Sequence, residues 1–141
     1  MSLSFTIVAK ENLHEVIPLV YKLNEEKISK TILMQRFEEM QEQNYQCAGI
    51  YDDNLLVGVA GMWFFTRHYS GKSMELDHVY IDDAYRNQGL GKKFMSWIKN
   101  YALSKNVETM ELNTYVQNFS SHKFYFNEGF KILGYHFLKK F

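Results

Sequence analysis

The chain has 141 residues, with 16 Lys+Arg balanced by 16 Asp+Glu, 46% hydrophobic and 16% aromatic residues and one cysteine, Cys47. These values predict a single domain over residues 1–141 with a real core; they exclude a disordered tail, a generic basic nucleic-acid binder, an internal disulfide and a Cys-rich metal cluster, so no metal is expected. The longest apolar run, Leu55 to Phe65, is shorter than the roughly 18 residues of a membrane span, and no basic-then-apolar leader opens the chain, so a soluble cytoplasmic domain is expected.

Phe5 to Val8 reads as a short strand. Asn12 followed by Glu15 resembles a capping box, and Leu13, Val16, Ile17, Val20 and Leu23 recur at helical spacing. Pro18 inside that pattern predicts a kink or a late helix start. A second helix is predicted from about Lys30 to Gln43, with Leu33, Phe37 and Met40 on one face. Gln46–Tyr51 and Leu55–Phe65 read as a hairpin around Asp52-Asp53-Asn54. After the Ser70-Gly71-Lys72 turn, a strand runs to Ile81. Strict alternation would put Met74, Leu76, His78 and Tyr80 on one face and Glu75, Asp77, Val79 and Ile81 on the other. A helix begins near Gly89 with Leu90, Phe94, Trp97, Ile98 and Tyr101 as its buried stripe. Val107–Tyr115 is a strand, and Phe119–Asn127 is a helix closed by Glu128-Gly129. Phe130–Leu133 and Tyr135–Leu138 are two last strands. Strands alternating with helices favour an α/β or α+β sheet.

Charge is uneven along this order. Residues 1–60 hold 5 Lys+Arg against 9 Asp+Glu, and residues 61–141 hold 11 against 7. Two halves of opposite sign could serve ligands of opposite sign, or be scattered surface charge.

The sharpest local feature is Arg86-Asn87-Gln88-Gly89-Leu90-Gly91-Lys92, between a strand and an amphipathic helix. A helix N-terminus exposes unpaired N–H groups, and glycines let them approach an anion, so the loop is either a phosphate site or a plain glycine turn. A Walker loop is excluded by Arg86 and Lys93, and a dinucleotide fingerprint by Phe94. A second cluster downstream comprises Asn118, Ser121, Phe124, Tyr125, Gly129 and Phe130. Asn118 could cap its helix or present an amide to a ligand, and Tyr125 could be core with its hydroxyl at the edge.

The Arg-x-x-Gly-x-Gly pattern at Arg86, Gly89 and Gly91 resembles the acetyl-CoA pyrophosphate loop of the GCN5-related N-acetyltransferases. The second cluster is similar to that family's downstream motif, and the Glu75–Ile81 strand with Asp82, Tyr85 and Arg86 fits as well. The likeness is densest over residues 74–133. It implies an α+β fold: a mixed, twisted sheet of six or seven strands with about four helices. Its two central strands, here Ser73–Ile81 and Val107–Tyr115, would splay apart to admit acetyl-pantetheine.

The resemblance further implies a role for each matching residue. Backbone groups of Val79, Tyr80 and Ile81 would hold the pantetheine arm. Arg86, Asn87, Gln88, Gly89, Leu90, Gly91 and Lys92 would hold the pyrophosphate, with Asn118 and Ser121 alongside. The N–H at or next to Val79 would polarise the thioester carbonyl. Tyr125 matches the usual general acid, and Glu75 or Asp77 the base, while His78 falls by alternation on the opposite face. Asn87-Gln88 and Ser121 depart from the commonest form of the motifs without removing a required group. The implied activity is acetyl transfer from acetyl-CoA to a primary amine of a small molecule, peptide or protein, by a monomer or homodimer. Glu25, Glu26, Glu38, Glu39 and Glu42 with Trp63, Phe64, Phe65 and Tyr69 would suit a cationic acceptor. A non-catalytic acyl-CoA sensor or an interaction module on the same fold is the alternative.

Overall fold

The computed structural model describes residues 2–141. One sheet carries β1 (Leu3–Ile7), β2 (Tyr45–Asp52), β3 (Leu55–Arg67), β4 (Gly71–Ile81) and β5 (Thr109–Leu112), side by side in that order. The first four strands pair antiparallel, and β5 joins β4 in parallel. A parallel neighbour requires a crossover, which α3 (Leu90–Ser104) supplies. The other helices are α1 (Ile17–Leu23), α2 (Lys30–Met40) and α4 (Phe119–Asn127).

Local chemistry explains the helix boundaries. Residues Lys10–Val16 form a 3₁₀ stretch with Ala9 at its N-cap and no side-chain cap, so the expected box at Asn12 does not form. Pro18 lies in the first turn of α1, where its missing N–H leaves nothing unpaired; the late start is the outcome. Ser29 caps α2 by accepting from the Ile32 N–H at 3.2 Å, and α2 ends at Met40 rather than Gln43. In α3 the stripe Leu90, Phe94, Ile98 and Ala102 is buried, and Trp97 stacks on Tyr101 at 5.5 Å beside it.

The sheet separates two cores. On one face Ile50, Val57, Met62, Met74 and Leu76 pack with Phe94 and Ile98 of α3, and Phe124 and Tyr125 of α4 lie against them. On the other, Cys47, Leu56 and Val59 pack with Val16, Ile17 and Val20 around α1 and Leu33 and Phe37 of α2.

Two expectations are corrected. The sheet has five strands, not six or seven. Val107–Tyr115 contracts to Thr109–Leu112, and residues 130–138 are irregular, those beyond Phe130 being exposed. Their apolar pattern is real, but a strand exists only against a neighbour, and none pairs with them. The second correction concerns β4. Ala60 faces Val79 and Met62 faces Leu76, so two steps along β3 match three along β4. The extra residue is a bulge at Asp77–His78, and it inverts the alternation. Met74 and Leu76 enter the α3 core, whereas His78 packs at a tilt against Phe37 of α2, 5.2 Å away, and Tyr80 packs on the second core. Val79 and Ile81 take the α3 side instead.

Candidate functional site

Strands β4 and β5 pair only from Ser73–Leu76 to Thr109–Leu112. Beyond Leu76, β4 continues to Ile81 with β3 on one side and no strand on the other. The β5-facing backbone of Asp77–Ile81 is therefore an open sheet edge inside the molecule. The side chains of Val79 and Ile81 are anchored in the α3 core, which fixes that edge in place.

The N-terminus of α3 follows this edge. Gly89 is its N-cap, with φ +70° and no side-chain cap. The Lys93 N–H reaches back to the Gly89 carbonyl at 3.3 Å. The N–H groups of Leu90, Gly91 and Lys92 precede that first helical bond, so they point out unpaired and carry the positive end of the helix dipole. A Cβ on Gly89 would meet nothing within 4 Å, so conformation rather than crowding calls for glycine there. Asn87 also has positive φ, +61°. At Gly91 a Cβ would sit 3.9 Å from the Phe124 ring and 4.0 Å from Ile81, so the loop, the end of β4 and α4 converge at that point.

Arg86 is placed differently from a free phosphate ligand. Its Nε donates to the Ile81 carbonyl at 2.7 Å, its Nη1 lies 2.7 Å from Asp83, and its guanidinium covers the Tyr80 ring at 4.9 Å. It props the loop against the end of β4. Gln88 donates to the Ala84 carbonyl at 3.4 Å, and Lys92 is exposed. Asn118 is the cap of α4, its Oδ1 accepting from the Ser121 N–H at 3.4 Å and the Ser120 hydroxyl at 3.3 Å.

Tyr125 is half-buried between Phe124, 5.3 Å away, and Phe130, 5.6 Å away, both edge-on. Its hydroxyl has no hydrogen bond among the described residues, and burial raises its pKa, so the proton stays on.

Glu75 lies on the opposite face, across the strands from Trp63. Burial raises its pKa, and the Glu111 carboxylate adds to the rise. The nearby cation is largely committed elsewhere. Arg67 Nε donates to both Glu111 oxygens at 2.9 and 3.0 Å, while its Nη2 is 3.6 Å from Glu75. The Ser73 hydroxyl also donates to Glu111 at 2.7 Å. Burial pushes Glu111 up, but these bonds outweigh it and leave its pKa below the ordinary value. One carboxyl of the pair is thus held charged and the other is eased toward neutral pH. Asp77 is exposed at the bulge and accepts from the Trp63 indole at 3.0 Å.

His78 shares this face with Glu75, contrary to the alternation argument. It is buried, hydrogen-bonded through Nε2 to the Tyr45 hydroxyl, with Nδ1 unpartnered. Burial lowers its pKa to about 4, so it is neutral near pH 7. Burial likewise pushes the Cys47 thiol up to about 12, leaving it an inert core thiol. Arg67, Glu111 and Ser73 were not singled out from sequence. The β3–β4 hairpin register could have placed Arg67 near Ser73, but Glu111 reaches them only through the parallel pairing of β4 with β5. The glutamates at 25, 26, 38, 39 and 42 are all exposed, and Glu75 and Asp77 lie with Trp63 on this face of β3 and β4. No cluster of three or more metal-ligating side chains occurs among the described residues, and none of their helices is long and apolar enough to cross a membrane.

Comparison with known proteins places this geometry. An aminoalkylphosphonate N-acetyltransferase from Salmonella typhimurium is 27% identical over 75 residues, covering 53% of this chain and 49% of that protein. The match thus spans about half the length of that relative. A possible acetyltransferase from Clostridium difficile 630 superposes with a TM-score of 0.84 at 16% identity, over 99% of this chain and 97% of the other. The aminoglycoside N-acetyltransferase AAC(6')-Iy, solved in complex with CoA, gives 0.84 at 15% identity over 99% and 94%. At those identities the structures speak for the fold alone. The profile described as the acetyltransferase (GNAT) family matches residues 13–130, which takes in every element from α1 to α4, and the chain belongs to that family.

Proposed function

We propose that this chain is an acetyl-CoA-dependent N-acetyltransferase that moves acetyl from sulfur to a primary amine of a small molecule, peptide or protein. The observation that carries the reading is the open β4 edge from Asp77 to Ile81 leading to the uncapped N-terminus of α3. An extended amide-bearing arm can pair with the one, and a pyrophosphate can take the N–H groups of the other.

The residues present fit such a ligand. Leu90, Gly91 and Lys92 offer backbone donors, and Asn87, Gln88 and Gly89 shape the loop ahead of them. The Val79–Ile81 backbone would receive the pantetheine arm, and the N–H at or next to Val79 would polarise the thioester carbonyl. Asn118 and Ser121 form the wall at the head of α4. Bound acetyl-CoA supplies an activated acyl group on a thiol leaving group.

The two faces of the sheet divide the proton work. The amine approaches from the α1–α2 side, where Glu75 removes its proton. A new N–C bond forms as the C–S bond breaks. The thiolate leaves on the α4 side, where Tyr125 donates its hydroxyl proton. The raised pKa of Glu75 favours its role, since the carboxyl accepts a proton more readily, and Tyr125 stays protonated and so has a proton to give. Asp77 is placed to bind a cationic acceptor beside Trp63.

The test is a thiol-release assay with acetyl-CoA against a panel of amines, paired with thermal denaturation with and without CoA. Amine-dependent release with a CoA-raised Tm is expected. A CoA-raised Tm with no turnover of any amine would favour a non-catalytic sensor. No change in Tm at high CoA would overturn the reading.

A further inference from the structure

The parallel pairing of β4 with β5 places Glu111 abreast of Glu75 and Thr109 abreast of Ser73. On the other flank Trp63 lies opposite Glu75 and Phe65 opposite Ser73. Alternate positions share a face, so Arg67, two beyond Phe65, joins them on the α1–α2 side. Three adjacent strands thus bring a guanidinium, two carboxylates and a buried hydroxyl to one end of the face that carries Glu75.

The cation is not shared evenly. Arg67 Nε donates to both Glu111 oxygens, at 2.9 and 3.0 Å, and the guanidinium lies 4.4 Å over the Phe65 ring. The fully buried Ser73 donates its hydroxyl to Glu111 Oε2 at 2.7 Å, so Glu111 is fixed from two strands. What remains for Glu75 is Nη2 at 3.6 Å, too long for a hydrogen bond. The asymmetry matters because a general base needs a lone pair free for the amine proton. A guanidinium closed on Glu75 would occupy its oxygens in the forked geometry arginine favours, and would hold it ionised and weakly basic.

We propose that Glu111 is a positioning residue for the transfer: gripping Arg67 through Nε, with Ser73 bracing the grip, it keeps the guanidinium off Glu75 and leaves that carboxylate open to the acceptor amine. This role rests on Glu75 acting as the base. The charges facing Glu75 agree with it. Burial does most to raise the pKa of Glu75 and Glu111 of β5 comes next, while Arg67 of β3 works against them. Asp77 on the same strand adds a smaller rise, and His136 from the C-terminal segment a smaller opposing effect. Arg67 and Glu111 together amount to a neutral pair, so removing either member leaves Glu75 facing the other alone.

Carbon-13 NMR titration of the full chain, labelled at its glutamate carboxyls, reads the Glu75 midpoint directly; the Glu75 signal is the one lost in Glu75→Gln. Glu111→Gln keeps the shape and an oxygen for the Ser73 hydroxyl but gives up the charge that holds Arg67. The Glu75 midpoint should then fall by about 1 pH unit, the lower end of what an adjacent guanidinium does to a carboxylate. Arg67→Gln should raise the midpoint, and this variant carries the test if Glu111→Gln fails to fold. Opposite movements are the signature, because a pair that merely ties β5 to β3 gives no reason for opposed signs. With an accepted amine, the acid limb of the kcat/KM profile should follow the midpoint in each variant. An unmoved Glu75 midpoint, or movement in the same direction in both variants, would overturn the proposal. The titration needs no turnover, so it decides the hold on Arg67 even if Glu75→Gln keeps a wild-type pH–rate profile, an outcome that would remove the base assignment alone.

Discussion

Tyr125 packs edge-on between two phenyl rings and against the α3-side core, and its hydroxyl makes no hydrogen bond among the described residues, so removing that hydroxyl leaves the packing intact. Tyr125→Phe should lower kcat by roughly 10²-fold, the lower end of the general-acid range because a thiolate leaves readily. The KM for acetyl-CoA should hardly move, and steady-state kinetics with an accepted amine checks both parameters. Glu75 is tested by its pH profile. A lysine-like amine has an unperturbed pKa near ~10.4, so little of it is neutral at pH 7. Glu75→Gln should depress kcat/KM at pH 7 by roughly 10²-fold, with the deficit shrinking toward pH 9 as the acceptor loses its proton unaided. Asp77→Asn should raise the acceptor KM and leave the shape of the profile unchanged. A wild-type profile for Glu75→Gln would remove it as the base.

At the scale of elements, the loop before α3 rests on one conformation. Gly89 sits at φ +70°, a region that costs an ordinary L-residue about 1–2 kcal/mol. Gly89→Val should raise the Kd for acetyl-CoA at least tenfold with the fold retained, which isothermal titration calorimetry and circular dichroism together would report. The loop was legible in sequence because its chemistry is local: glycines, a preceding strand and an amphipathic helix lie within some twenty residues. The helix stripes of α2 and α3 were legible for the same reason. The face of His78 was not, since a bulge is a property of two strands in register and β4 alone carries no mark of it. The last two strands failed on similar grounds: Phe130–Leu138 has strand composition, but pairing is decided by a neighbour. Arg67 and Glu111 lie 44 residues apart and meet only after β4 and β5 align.

For the whole molecule, the two cores share one sheet, and His78 is buried beside Phe37 and Tyr45 of the second. Its native pKa is about 4 against 6.5 when exposed. Between those values the unfolded chain binds a proton that the native state refuses. Stability should therefore be full above pH 6.5 and fall as pH drops toward 4, by on the order of 3 kcal/mol for that shift. Urea denaturation at pH 7.5, 5.5 and 4.5 measures the slope, and His78→Gln should flatten it whatever its effect on stability at pH 7.5. An equal slope in the variant would assign the acid sensitivity to other groups.

The bulge at Asp77–His78 also makes β4 a strand of two phases. Along it, the positions turned toward α3 are even-numbered up to Leu76 and odd-numbered from Val79 onward. Saturation mutagenesis should show the same slip, with tolerance alternating at period two and changing parity at the bulge. Deleting either residue there would bring the strand into a single phase. It would leave Met74, Leu76, Val79 and Ile81 on the α3 side and Glu75 and Tyr80 on the other, because the bulge sets two β4 residues against one of β3. Deleting the exposed Asp77 should consequently be tolerated by the fold better than deleting a residue elsewhere in β4, which shifts one flank by one position against β3.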